Sequence, residues 1–195
     1  MSPFIETVRI EKGRICNLPY HNERMNKTRK EVFRLSDPLD LSAYIHPEGY
    51  RERTKCRVEY DAGILGVEYV PYRIRPVASL RVVVEDALDY SYKSTDRNRL
   101  NELFSLRGEA DDILIVRNGL LTDTSICNIA LWDGRYWLTP DVPLLAGTQR
   151  ALLLETGEIV PAVIRSGDLS RFSRIRLFNA MIGFGEIELS VDDIT

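Results

Sequence analysis

Four short segments carry residue types that do chemistry, and they follow one another in a set order. They are His21-Asn22-Glu23-Arg24-Met25, Tyr92-Lys93-Ser94-Thr95-Asp96-Arg97, the stretch from Leu121 to Gly134 that opens Leu-Thr-Asp-Thr, and Leu145-Ala146-Gly147-Thr148-Gln149-Arg150. Lys93 stands among Tyr90, Tyr92, Arg97 and Arg99. A lysine amine acts as nucleophile or proton carrier when it is neutral near pH 7, and burial beside positive charge lowers its pKa toward that range. Gly147 opens a helical pattern. The N–H groups of Thr148 and Gln149 at its start can receive an anion, and glycine lets the anion come close. Arg24 offers a cation for the same kind of group. Each residue also has an ordinary reading. Lys93 alone is a solvated loop charge, Asp123 shapes a turn, and Arg24 is a charge on a helix face.

The order and spacing together resemble the class IV aminotransferases, the fold-type-IV group of pyridoxal-5'-phosphate enzymes. That family includes branched-chain and D-amino acid aminotransferases and 4-amino-4-deoxychorismate lyases. The resemblance runs through nearly the whole chain and is densest from Tyr92 to Arg150. It implies that Lys93, in a K-x-x-N-R-like run, forms the Schiff base with the cofactor and then serves as acid and base on the substrate proton. It implies that Asp123, in a variant of T-E-G-x-x-x-N, faces the pyridine nitrogen and keeps it protonated. Here the acid is one methylene shorter than the usual Glu, and Thr124 replaces the usual Gly.

The turn at Gly147, Thr148 and Gln149 matches the phosphate-binding L-x-G-x-T-R element. Arg24 matches the arginine of H-x-x-R, which binds the same phosphate. Asn179 and Ala180, in Phe178-Asn179-Ala180-Met181, resemble the last loop that closes over it. Arg97 falls where the family places a group near the cofactor's phenolic oxygen. Glu6, in Phe4-Ile5-Glu6-Thr7-Val8-Arg9, lies in a strand like the family's F-E-T-x-R, at a position where lyases sometimes carry Thr. The expected activity is 4-amino-4-deoxychorismate lyase, giving 4-aminobenzoate and pyruvate for folate synthesis. The alternatives are an amino acid aminotransferase, or a family member that binds cofactor without catalysis. The resemblance also implies a small amino substrate and a homodimer.

The rest of the chain must position these groups. Its 195 residues are 44% hydrophobic and 28% charged, with a net charge of -3. That is ordinary globular composition, and the acidic balance argues against a nucleic-acid binder. Three scattered cysteines and two histidines give no metal-ligand spacing and no disulfide framework, so no metal and a reducing cytoplasm are expected. The start, MSPFIETVRI, has no basic segment leading into a long apolar run, and no stretch is apolar enough for a membrane span.

Alternation around Lys12-Gly13 predicts a hairpin over Phe4 to Cys16. Helical spacing of Leu18, Met25, Val32 and Phe33 predicts a helix from Asn17 to Arg34, with a short helix near Leu39 to Ile45. Lys55 to Ala62 and Leu65 to Ile74 read as an antiparallel pair, with Pro71 marking an edge or bulge. The second half reads as a strand over Ser79 to Asp86 and a helix from Arg97 to Leu106. A strand over Asp111 to Val116 follows, with a turn at Asn118-Gly119. Then come strands at Asn128 to Trp132 and Tyr136 to Leu138, and a helix from Gly147. Tyr69, Tyr72, Tyr90 and Tyr92 fit either a pocket wall or sheet packing. The fold class is α+β with mostly antiparallel sheet. Residues 1–76 form a shortened N-terminal domain and residues 79–195 a larger cofactor-binding domain, joined near Arg75-Pro76-Val77-Ala78.

Overall fold

Lys12 and Gly13 both adopt left-handed backbone, with φ of 53° and 71°. A two-residue hairpin turn requires that conformation. The flanking strands β1 (Phe4–Glu11) and β2 (Arg14–Ile15) pair antiparallel, as the alternation predicts. The computed structural model that shows this describes residues 2–195. Helix α1 (Leu18–Phe33) follows, with proline in its first turn, where a missing N–H costs nothing. Beyond it, β3 (Thr54–Tyr60) and β4 (Ile64–Pro71) complete a sheet in the order β2-β1-β3-β4, antiparallel throughout. Pro71 ends β4 on the sheet edge, where a lost N–H breaks no ladder. The strand expected to reach Ile74 therefore stops three residues earlier. The short helix expected near Leu39 is a 3-10 turn, Leu41–Ala43, capped by the Asp40 carboxylate on the Ser42 N–H.

This first unit has its own core of Phe4, Val8, Ile10, Met25, Cys56, Val58 and Tyr60. It comprises the chain up to Ile74 and one later piece, Tyr92–Asp96. That piece lies against the start of β1. Ser94 bridges Phe4, the Ile5 N–H donates to the Lys93 carbonyl at 2.9 Å, and the Thr95 N–H donates to the Pro3 carbonyl at 2.9 Å.

The second unit comprises Arg75–Ser91 and everything from Arg97 onward. Strands β5 (Leu80–Val84) and β6 (Asp112–Arg117) run parallel, and the crossover between them carries helix α2 (Asn98–Ser105). Asn118 and Gly119, at φ 51° and 75°, turn the chain into β7 (Leu120–Thr124), antiparallel to β6. No apolar-polar alternation in the sequence marks this strand, which is buried along nearly its whole length. β8 (Asn128–Trp132), β9 (Trp137–Pro140), β10 (Val160–Ala162), β11 (Arg174–Asn179) and β12 (Ile182–Ser190) form a second sheet, in the order β10-β9-β8-β11-β12. Helix α3 (Thr148–Glu155) precedes β10 and packs Leu153 with Ala130, Ile159 and Phe178. The α+β class with predominantly antiparallel pairing is as expected. Among the described residues no helix is long and apolar enough to cross a membrane, and no cluster of His, Cys, Asp or Glu could hold a metal ion.

Candidate active site

The chemistry-bearing side chains fall into two groups, one in each unit. In the first unit the residues concerned are Lys93, Arg24, His21 and Glu6. Alternation along β1 puts Glu6 in the inward row with Phe4, Val8 and Ile10, and its side chain is fully buried. His21 and Arg24 are three residues apart on α1 and so share a face. His21 Nδ1 lies 2.6 Å from Glu6 Oε2. Arg24 donates from Nε to Oε1 at 2.9 Å and from Nη2 to Oε2 at 2.6 Å.

Burial alone would raise the Glu6 pKa. The Arg24 charge and the hydrogen bonds from His21 and Arg24 outweigh burial and bring the pKa down to about 2. His21 shifts below its ordinary value. Burial is the main cause, and the charges of Arg24 and Lys93 add to it against the pull of Glu6. The imidazole is therefore neutral at pH 7, and donation to Glu6 places its proton on Nδ1. Lys93 is half-buried, with its backbone tied to β1 as described above.

In the second unit the expected residues converge on the segment 123–128. Asp123 is buried at the end of β7. Its Oδ1 accepts from Asn128 Nδ2 at 2.9 Å and its Oδ2 from the Leu145 N–H at 2.9 Å. Asn128 Nδ2 also donates to the Leu145 carbonyl at 2.9 Å. Burial pushes the Asp123 carboxyl up to about 6, against these hydrogen bonds and the charge of Arg150. Thr124, in place of the family's usual glycine, has a local function. Its hydroxyl accepts from the Cys127 N–H at 3.0 Å and closes the turn between β7 and β8.

Arg97 caps α2 and donates to the Ser125 carbonyl at 2.8 Å and to the Tyr90 hydroxyl at 3.2 Å. Asn179 donates to the Ile126 carbonyl at 3.1 Å, while its own oxygen accepts from the N–H groups of Met181 and Ile182. Ala180 stands in the β11–β12 turn that these bonds shape. Gly147 precedes the first turn of α3, which contains Thr148 and Gln149, both buried. Its φ is -71°, so the glycine is not required for backbone conformation. It is required for space, because a β-carbon there would overlap the Asn128 amide oxygen.

Three participants were not singled out in the sequence. Asn128 was visible only as the last letter of a motif. His21 was visible only as the first letter of another. Ser125 contributes a backbone carbonyl, which no side-chain pattern reveals. The burial of Glu6 had a signal, since alternation places it in an apolar row, but its partners lie on another element. Of the four tyrosines, Tyr90 is buried in the α2 core and Tyr92 packs edge-on to Phe4. Tyr69 stacks on Tyr50 with ring centroids 4.7 Å apart.

Comparison with known proteins shows the family and the fold. Residues 62–189 match the family model "Amino-transferase class IV". An uncharacterized protein of Haemophilus influenzae is 35% identical over 94% of this chain and 100% of its own length. A solved structure from Haemophilus somnus 129PT, provisionally named a 4-amino-4-deoxychorismate lyase, is 36% identical. It covers 94% of this chain and 98% of that one, with a TM-score of 0.86. A Schizosaccharomyces pombe protein, provisionally named an aminodeoxychorismate lyase, is 26% identical over 86% of this chain and 81% of its own. On the family match, these identities and the shared fold, the chain belongs to the class IV aminotransferases and has their fold-type-IV architecture.

Proposed function

We propose that this protein is a pyridoxal-5'-phosphate-dependent 4-amino-4-deoxychorismate lyase, forming 4-aminobenzoate and pyruvate. The observation that carries the cofactor reading is Asp123. It is a buried carboxylate held by an amide and a backbone N–H, with a pKa raised to about 6, and a protonated ring nitrogen is the partner that would relieve its burial. The residue types present in each unit suit the cofactor. The first unit offers the Lys93 amine and the Arg24 guanidinium. The second offers Asp123 for the ring nitrogen, Arg97, which would serve the phenolic oxygen, and the start of α3 at Gly147, Thr148 and Gln149 with Asn179 and Ala180, which would hold the phosphate.

When bound, the cofactor supplies an electron sink for the carbon that bears the substrate's amino group. Lys93 Nζ takes the proton from that carbon and returns a proton to the departing three-carbon fragment, which leaves as pyruvate while the ring becomes aromatic. Aromatisation drives the reaction, so the protein's task is chiefly to position the groups. The preference for the lyase over an aminotransferase rests on the names of the 36% and 26% identical relatives. A homodimer, a place in folate synthesis and a cytoplasmic location accompany this reading.

The test is to supply 4-amino-4-deoxychorismate to the cofactor-loaded protein. A lyase releases pyruvate and 4-aminobenzoate in equal amounts with no added keto acid. Turnover that requires a keto acid, or amino transfer from an amino acid without pyruvate release from this substrate, identifies an aminotransferase instead.

A further inference from the structure

Glu6 has no direct part in the proposed chemistry, yet it is a fully buried carboxylate paired with two side chains of α1. It stands between Phe4 and Val8 in a row that is otherwise apolar, and its side chain is fully buried. Isolated, a carboxylate there would be protonated or expelled, so it persists only if paired and hydrogen-bonded. For stability alone an apolar side chain of similar volume would do at least as well. The form of the pairing suggests a use.

Both carboxylate oxygens engage one edge of the Arg24 guanidinium, Nε at 2.9 Å and Nη2 at 2.6 Å. Two parallel bonds of this kind fix the plane as well as the position of an arginine. A guanidinium on a flexible stem would otherwise lose rotamer freedom each time it bound an anion. Glu6 is held in turn. His21 Nδ1 donates to Oε2 at 2.6 Å, and that ring is itself fully buried on α1. His21 and Arg24 come from one helix and Glu6 from β1, so the three join the strand to the helix at the level where Lys93 is tied to β1.

We infer that Glu6 is a positioning residue: it holds Arg24, with His21 locking it in place, so that the guanidinium meets the cofactor's phosphate already ordered. This rests on the reading that Arg24 binds that phosphate.

The test compares the affinity of the apoprotein for pyridoxal 5'-phosphate and for pyridoxal, which lacks the phosphate, by absorbance titration. The proteins are the unaltered chain, E6Q, R24Q and the double variant. E6Q and R24Q should each weaken binding of the phosphorylated compound by about ten- to a hundredfold. Both should leave pyridoxal binding nearly unchanged. The double variant should bind no more weakly than R24Q, because Glu6 acts only through Arg24. Equal losses for both compounds in E6Q would overturn the inference, as would losses that multiply in the double variant. If R24Q leaves the ratio of the two affinities unchanged, the phosphate role of Arg24 fails, and the role of Glu6 with it. E6D keeps both charges but is one methylene shorter. Should E6Q not fold, E6D is read by the same ratio, with a smaller loss again confined to the phosphorylated compound.

Discussion

The amide oxygen of Asn128 occupies the space that a β-carbon on residue 147 would need. The same amide gives its nitrogen to Asp123 and to the Leu145 carbonyl, so it cannot swing aside without breaking both bonds. Gly147 therefore makes room for the residue that orients Asp123, and the start of α3 is coupled to the acid at the end of β7.

Gly147→Ala should be destabilising although its backbone angles suit alanine. Displacing Asn128 costs about 1–3 kcal/mol through overpacking and lost hydrogen bonds. Urea unfolding of the apoprotein measures this. Cofactor affinity should fall as well, and unchanged stability would mean that Asn128 adapts freely.

The raised pKa of Asp123 sets a pH dependence. The unfolded carboxyl ionises near 3.8 and the folded one at about 6. Between these values the folded form holds the extra proton, so its stability falls as pH rises through about 6. The loss is on the order of 2–3 kcal/mol. It should be seen as a change with pH in the difference between the unaltered apoprotein and Asp123→Asn. Bound cofactor with a protonated ring nitrogen should flatten that change. A difference that stays constant from pH 4 to pH 7 would contradict it.

Glu6 gives the opposite slope in a lower window. Its folded pKa of about 2 lies below the ordinary 4.5. Its stabilising contribution is therefore complete above about 4.5 and lost as pH falls toward 2. At neutral pH, Glu6→Gln leaves Arg24 without its buried counter-charge and should cost roughly 3–5 kcal/mol. Thermal melts of the two proteins should converge as pH is lowered through this window. Parallel curves would show that the carboxylate is not held as described.

Local chemistry made much of the fold legible. Lys12-Gly13 and Asn118-Gly119 read as hairpin turns because only left-handed backbone closes such turns easily, and both show positive φ. The spacing of Leu18, Met25 and Val32 gave α1. β7 escaped because Leu-Leu-Thr-Asp-Thr has no alternation: nearly the whole strand is buried, polar residues included. The place of Tyr92–Asp96 in the first unit was equally unreadable. It depends on pairing between Ser94 and Phe4, ninety residues apart in sequence, which no local pattern encodes. At the candidate site the motif residues could be named from their order. The groups that hold them, Asn128 on Asp123 and Glu6 on Arg24, are tertiary contacts and needed the structure.

The most direct test of the central claim, that Lys93 carries the cofactor, is borohydride reduction of the pyridoxal-5'-phosphate-loaded protein followed by peptide mass spectrometry. Reduction should fix one cofactor per chain on the peptide containing Lys93, and Lys93→Ala should carry none. Label on another lysine in the unaltered protein, or undiminished specific label in Lys93→Ala, would contradict it.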